Sequence, residues 1–439
     1  MNWGRSAAWG RRARAMSLCA RAFFLAAILI CLPRIALACL PDSYGHLARH
    51  CVSEPQYKKL LNLVFGTSAK PRQIAVLAGV SKYPNLPASL QLPPAEHDVE
   101  AMATLLIEKL RFDEIIVLKN EDFTFGNLRY VFENYLPDVL RGSSKSRVLF
   151  AFSGHGADFE DSGFLFFPAT KTIQAASYTD LTDAVNLTSL KATLAPTIWT
   201  AQQFLALINA CNGGYFLDVS AHFGSSVLDE RGAHGITAGG AKDAVHAYRN
   251  VGTGEGSVFF EMVVAALTGG DISVGGQVFE DPSKHDGMVS TTALAHFLTG
   301  TIQVIENYRL TPRLGELSPR KAGNQGEFFF ITDYERAKTA LAQRFPTAAV
   351  RVFGAEVKVD ASTNAMQQRS PGLYARRQLA FGTFLESEML VLVPSMDLQI
   401  TSAANTPLNF TDDVRGSCLS RKLEEGEKLA WEHLRVDCR

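Results

Sequence analysis

From Arg72 onward, short unbroken apolar runs alternate with stretches of helical spacing. Gln73 to Val80, Ile115 to Leu118, Arg147 to Phe152, Gly163 to Phe167, Phe204 to Asn209 and His234 to Gly239 read as strands. Runs of this kind, without polar alternation, mark strands covered on both faces. Met102, Leu105, Leu106 and Leu110 recur at helical spacing after His97-Asp98, and Phe125 to Leu140 reads as a helix stopped around Pro137. Ser257 to Leu267 and Thr291 to Leu298 read as further helices, and Gly326 to Ile331 as a closing strand. The alternation predicts an α/β domain over residues 70–332, a mainly parallel sheet sandwiched by helices. A helix from near Asp333 and then Pro346 mark a boundary. Residues 345–439 are expected to form a smaller α+β domain of unknown role. Its strand candidates are Val350 to Val359 and Met389 to Pro394, and Leu423 to Leu434 reads as a helix.

The other end of the chain has a different texture. Arg5, Arg11, Arg12, Arg14 and Arg21 precede an apolar run from Phe23 to Leu32. The run is too short to cross a bilayer but suits a signal-peptide core. Ala36-Leu37-Ala38 fits the small-residue cleavage pattern, so residues 1–38 are expected to be a signal peptide and 39–69 a helical lead-in. Export to a periplasmic or extracellular space follows. Cys39 directly after the cleavage pattern also permits a lipoprotein anchor, although Ala36 is a poor lipobox residue. No later stretch is apolar enough to span a membrane.

Cysteine use fits that reading. Cys19 and Cys31 leave with the signal, and Cys39, Cys51, Cys418 and Cys438 flank the two ends. In an oxidising compartment they are expected to form disulfides, either within each end or as a clasp between them. Cys211 is left alone in the middle. The net charge of -1 excludes a polybasic nucleic-acid binder, and 47% hydrophobic residues argue against general disorder.

The chemistry gathers at two strand ends. One strand runs into Ser153-Gly154-His155-Gly156, another into Asn209-Ala210-Cys211-Asn212-Gly213-Gly214. In a parallel sheet the active crevice lies beyond the carboxyl ends of the strands. An imidazole beside a thiol can generate the thiolate nucleophile and later protonate a leaving amine. Adjacent glycines let a substrate backbone approach closely.

These two segments, about fifty-five residues apart, resemble the caspase-like cysteine peptidases, and most closely their bacterial metacaspase-like branch. Ile74 to Gly79 is similar to the opening strand of that family, and His97-Asp98-Val99 to the start of its first helix. Gly254 to Phe259, Asp286-Gly287 and Leu310-Thr311-Pro312 resemble later segments. The resemblance implies Cys211 as nucleophile, His155 as acid and base, and an oxyanion hole from the backbone N–H groups of Gly156 and Cys211. It implies peptide-bond hydrolysis through a thioester, with a polypeptide as substrate.

The S1 pocket is carried over residue by residue. There is no Arg between Arg72 and Arg111, so strict cleavage after Asp is not expected. Asp98 matches one of two carboxylates that read a basic P1 residue, and Asn209 departs from the second, so a basic or polar P1 is favoured. Asp98 reads equally as a helix N-cap. No cofactor is required; many such enzymes use calcium as an activator, and Asp158, Glu160 and Asp161 cluster after His155. Such a run is more usually a solvated loop, since calcium needs six to eight convergent oxygens. Arg231-Gly232 is the candidate self-cleavage bond. The rival readings are a catalytically silent caspase-fold binding module, or another thiol amidase.

Overall fold

The computed structural model describes residues 48–51, 54–143, 145–173, 183–217, 219–220, 228–245, 255–306, 309–317 and 326–354, with four short strands beyond. In chain order the elements are β1 (Ala48–Cys51), α1 (Pro55–Phe65), β2 (Gln73–Gly79), α2 (Pro93–Glu108), β3 (Glu114–Lys119), α3 (Phe125–Arg129), α4 (Leu136–Arg141) and β4 (Arg147–Ser153). Then come β5 (Gly156–Phe159), β6 (Ser162–Phe166), β7 (Ala184–Asn186), α5 (Leu187–Thr200), β8 (Gln203–Asn209), β9 (Val219–Ser220), β10 (Gly232–Thr237) and α6 (Val258–Thr268). The series continues with β11 (Ile272–Val274), β12 (Gln277–Phe279), β13 (Met288–Ser290), α7 (Thr291–Ile305), β14 (Arg313–Glu316), β15 (Phe329–Ile331), α8 (Tyr334–Arg344) and α9 (Pro346–Phe353).

The central sheet has the order β1-β3-β2-β4-β8-β10-β14-β9. Its five inner strands, β3, β2, β4, β8 and β10, are parallel, and antiparallel strands close both edges. Both faces are covered, which is why these strands carry no polar alternation. Ile74, Val76 and Ala78 of β2 enter one core with Phe132, Val139 and Leu194; Ala75 and Leu77 enter the other with Met102, Val263 and Leu298. A third cluster joins α1, α8 and α9 through Leu60, Leu61, Leu341 and Ala349.

Four local expectations are corrected. The helical path does not stop at Pro137. A π-helical stretch, Tyr130–Tyr135, leads into α4, where Pro137 sits in the first turn. The Phe132 carbonyl, which the missing proline N–H leaves free, accepts from Thr197 Oγ1 at 2.8 Å, and the wider turn makes room for the ring. The strand of residues 163–167 is β6, which lies in a separate antiparallel sheet with β5 and β7. Residues 329–331 do not close the main sheet; β15 pairs with β13 instead. Residues 350–353 are helical: Pro346 starts α9, and Ala348, Ala349, Val352 and Phe353 form an apolar face against the third cluster. The strand expected around Met389 to Pro394 is present as Leu390–Val393, paired with Gly372–Ala375. The expected signal peptide and the helix expected at 423–434 lie outside the described residues, apart from Leu434, which is in a strand.

Candidate active site

The sheet register brings the two motifs together. Ser153, the last residue of β4, faces Asn209, the last of β8. Gly154 N–H extends the pairing to Asn209 O at 3.2 Å. His155 and Cys211 each follow two residues later, at the same level beyond the carboxyl edge. Asn212 then takes a left-handed conformation, φ 58°, and turns the chain away directly after the thiol. The two loops touch: a Cβ at Gly156 would lie 2.4 Å from Cys211 O and 3.0 Å from Ala210 Cβ. Only glycine fits there.

His155 is held by the loop that follows β2. Its backbone N–H donates to Tyr83 Oη at 2.9 Å, and its ring lies 4.9 Å from the Tyr83 ring. Its Nε2 is 2.8 Å from Leu90 O. A carbonyl only accepts, so Nε2 carries the proton and the Nδ1 lone pair is left to receive one. Burial holds the imidazole below its ordinary range, with the Leu90 bond opposing. Burial raises the Cys211 thiol, with the Val245 N–H opposing. The resting pair is therefore neutral thiol and neutral imidazole.

The direction of the Gly156 N–H, an expected oxyanion donor, is set by the hairpin register. Phe166 N–H donates to His155 O, so His155 and Phe166 form a hydrogen-bonded pair. The next pair, Gly156 and Leu165, is then a non-hydrogen-bonded one, and Gly156 N–H points away from β6. The hairpin ends at Glu160-Asp161, both at positive φ (48° and 57°), a primed two-residue turn. The acidic run is thus the tip of a hairpin.

A chain segment after β10 lies over the thiol. Cys211 Sγ is 3.6 Å from Val245 O and accepts from Val245 N–H at 3.4 Å. Asn212 N–H donates to Asp243 O, and Asn212 Nδ2 to Ala241 O. Lys242 tethers the segment across to the hairpin, at 3.1 Å from Asp158 Oδ2 and 2.8 Å from Asp161 Oδ1. Those carboxylates are neutralised by an ammonium, and among the described residues no three His, Cys, Asp or Glu side chains converge on a metal position. Lys242→Ala is expected to speed alkylation of Cys211 by iodoacetamide about two- to fivefold, the range an exposed ion pair supplies. An unchanged rate would show that these contacts do not hold the segment.

Asp98 and Asn209 meet through a third residue. Ser153 Oγ donates to Asp98 Oδ2 at 2.6 Å and accepts from Asn209 Nδ2 at 3.2 Å. Asp98 sits in the second turn of α2, so it does not cap that helix. Its other oxygen accepts from Ser257 N–H at 2.8 Å, fastening the start of α6. Asp98 is only 2% exposed, and burial raises its carboxyl. Asn209 is 5% exposed, and its Oδ1 has no hydrogen-bond partner among the described residues.

Arg231 is not brought to the site. It precedes β10 at the amino edge of the sheet, opposite the dyad. Its guanidinium donates to the carbonyls of Ile198 and Trp199. The Arg231–Gly232 bond is fixed on both sides, by Gly232 N–H to Gln202 O and by Gly326 N–H to Arg231 O. In this state the backbone groups on either side of the bond are paired within the fold and are not presented to a protease cleft. Sequence reading missed Tyr83, Leu90, Gln91, Lys242 and Val245. Leu90 and Val245 act through backbone groups, which leave no trace in residue type.

A parallel α/β sheet with a thiol and an imidazole beyond adjacent strand ends is an arrangement that a cysteine hydrolase can use. Residues 72–284 match the family model described as Caspase domain, and the chain has the caspase-like cysteine-peptidase fold. The crystal structure of caspase-1 from Spodoptera frugiperda is similar over 57% of this chain and 89% of its own, at 14% identity and a TM-score of 0.36. No curated protein matches the chain. The family match supports a cysteine-peptidase type of function and polypeptide substrates.

Proposed function

We propose that the chain is an exported cysteine endopeptidase working through His155 and Cys211. The observation that carries this reading is the Ser153–Asn209 register, which sets the two side chains level beyond the sheet. Cys211 Sγ–H gives its proton to His155 Nδ1 as sulfur attacks the peptide carbonyl carbon. Gly156 and Cys211 N–H groups receive the oxyanion. Collapse breaks the C–N bond, and the proton on Nδ1 goes to the departing amine. Water, activated by the same imidazole, then hydrolyses the thioester and restores the thiol. Val245 over the sulfur makes the described state a resting one, from which the segment must lift.

A polar or basic P1 is favoured over Asp. The unpartnered Asn209 Oδ1 is an acceptor that a P1 amide or ammonium could meet, with the Asp98 carboxyl behind it. Export rests on the charged and apolar start of the chain. Among the described residues no helix is long and apolar enough to cross a membrane.

The test is hydrolysis of fluorogenic peptides varied at P1 (Arg, Lys, Asn, Gln, Asp, Leu), comparing the protein with Cys211→Ala, with and without calcium. Cys211-dependent turnover of Arg, Lys, Asn or Gln peptides is expected. The acid limb should fall below the ordinary imidazole pKa of about 6.5, because activity needs neutral His155 and burial lowers that group. No turnover with the thiol shown reduced would favour the binding module. Turnover of simple amides regardless of P1 would favour the amidase.

A further inference from the structure

The loop from Tyr83 to Gln91 presents two groups to His155, the Tyr83 ring and hydroxyl on one side and the Leu90 carbonyl on the other. It contains Pro84 and Pro87, which have no N–H to give. Its own backbone bonds are few and local: Leu86 N–H to Tyr83 O, Leu90 N–H to Pro87 O and Gln91 N–H to Ala88 O. Its ends are joined by one backbone bond just outside it, Leu92 N–H to Ser81 O at 2.9 Å, and within it by a side chain. Gln91 Oε1 accepts from Tyr83 N–H at 2.8 Å, and Gln91 Nε2 donates to Tyr83 O at 2.9 Å and Leu86 O at 3.1 Å. One amide thus satisfies both backbone groups of Tyr83 from the position next to Leu90. Inside the Leu92–Ser81 bond, this staple is what ties the Tyr83 backbone to the position next to Leu90.

We propose that Gln91 is a positioning residue for His155: it fixes the slot in which the imidazole is held with its proton on Nε2 and its Nδ1 lone pair toward Cys211. This rests on the His155–Cys211 reading above. Gln91 touches neither substrate nor reacting atoms; its effect passes through Tyr83 and Leu90. Without the amide, only the Leu92–Ser81 bond and packing couple the Leu90 carbonyl to Tyr83, and the imidazole is held less firmly in one tautomer. Tyr83 stays un-ionised throughout the assay range, because burial holds its hydroxyl well above ordinary phenols.

The experiment follows alkylation of Cys211 by iodoacetamide from pH 5 to pH 9 in the full chain, in His155→Ala, in Gln91→Met, which keeps side-chain length without the amide, and in Gln91→Glu. Thermal unfolding of each is followed alongside. Wild type should show a His155-dependent limb that His155→Ala lacks. Gln91→Met should lose that limb, with alkylation near neutral pH slowed about tenfold or more, as expected for a base displaced by an ångström. Gln91→Glu keeps the acceptor for Tyr83 N–H and should fall between; it carries the test if Gln91→Met does not fold. A Gln91→Met profile superposed on wild type, with His155→Ala distinct, would overturn the inference and leave the dyad standing. Identical profiles for wild type and His155→Ala would overturn the dyad, and this inference with it.

Discussion

Gly156→Ala should give a folded protein that has lost about 10²–10³ of its Cys211-dependent kcat/KM, the loss typical of removing one oxyanion donor. The cause is space. The new methyl group would stand 2.4 Å from Cys211 O, 3.0 Å from Ala210 Cβ and 3.1 Å from Phe164 O. Two of those three atoms are backbone, so the strain must be relieved by moving Gly156 itself, and its N–H turns with it. Alkylation by iodoacetamide forms no oxyanion and should change far less than hydrolysis. A variant whose hydrolysis stays within about tenfold of wild type, below the range for such donors, would show that Gly156 N–H is not one of them.

The parts of this site that can be read from sequence are those in which residue type and position along a strand carry the chemistry. An imidazole and a thiol, each just past an apolar run and close to glycines, mark the candidate pair in the sequence. The central strands are legible for the same reason: burial on both faces removes the polar positions that would blur the run. Asp98 and Asn209 were legible as a pair but not as to state. That Ser153 joins them, and that Ser257 takes the second Asp98 oxygen, depends on residues 55 and 159 positions away from their partners. The acidic run at Asp158–Asp161, read as more usually a solvated loop, is a hairpin tip, and the partner of its two aspartates, Lys242 from a distant loop, could not be read from sequence. Residues 350–353 read as a strand from Val350 and Val352. The helix won because Pro346 starts it well and its apolar face finds α1 and α8.

Arg147→Ala should cost both stability and, if His155 and Cys211 act as proposed, chemistry, because Arg147 ties the amino ends of the strands that carry them. Arg147 is fully buried and begins β4, level with Gln73 of β2 and Gln203 of β8. Its Nη1 donates to Gln73 Oε1 at 2.7 Å, its Nε to Gln203 Oε1 at 2.9 Å, and its Nη2 to Phe329 O. The guanidinium lies over the rings of Phe328 and Phe329, 4.3 and 4.0 Å from their centroids. Burial without a carboxylate pushes its pKa down to about 9, so it remains a cation at neutral pH, held by amides, a carbonyl and rings. Truncation removes three charge-assisted bonds and leaves a cavity with unsatisfied acceptors. A loss of about 4–5 kcal/mol is expected in chemical denaturation, the upper range for buried truncations. Arg147→Met fills the space without the bonds and should lose about half as much. The side chain bridges the first residues of three strands whose last residues place Ser153 opposite Asn209. Loosening that bridge should therefore weaken the His155-dependent limb of Cys211 alkylation, even under conditions where the variant is folded. A loss of stability under about 1 kcal/mol for Arg147→Ala would show that the sheet does not depend on this rivet.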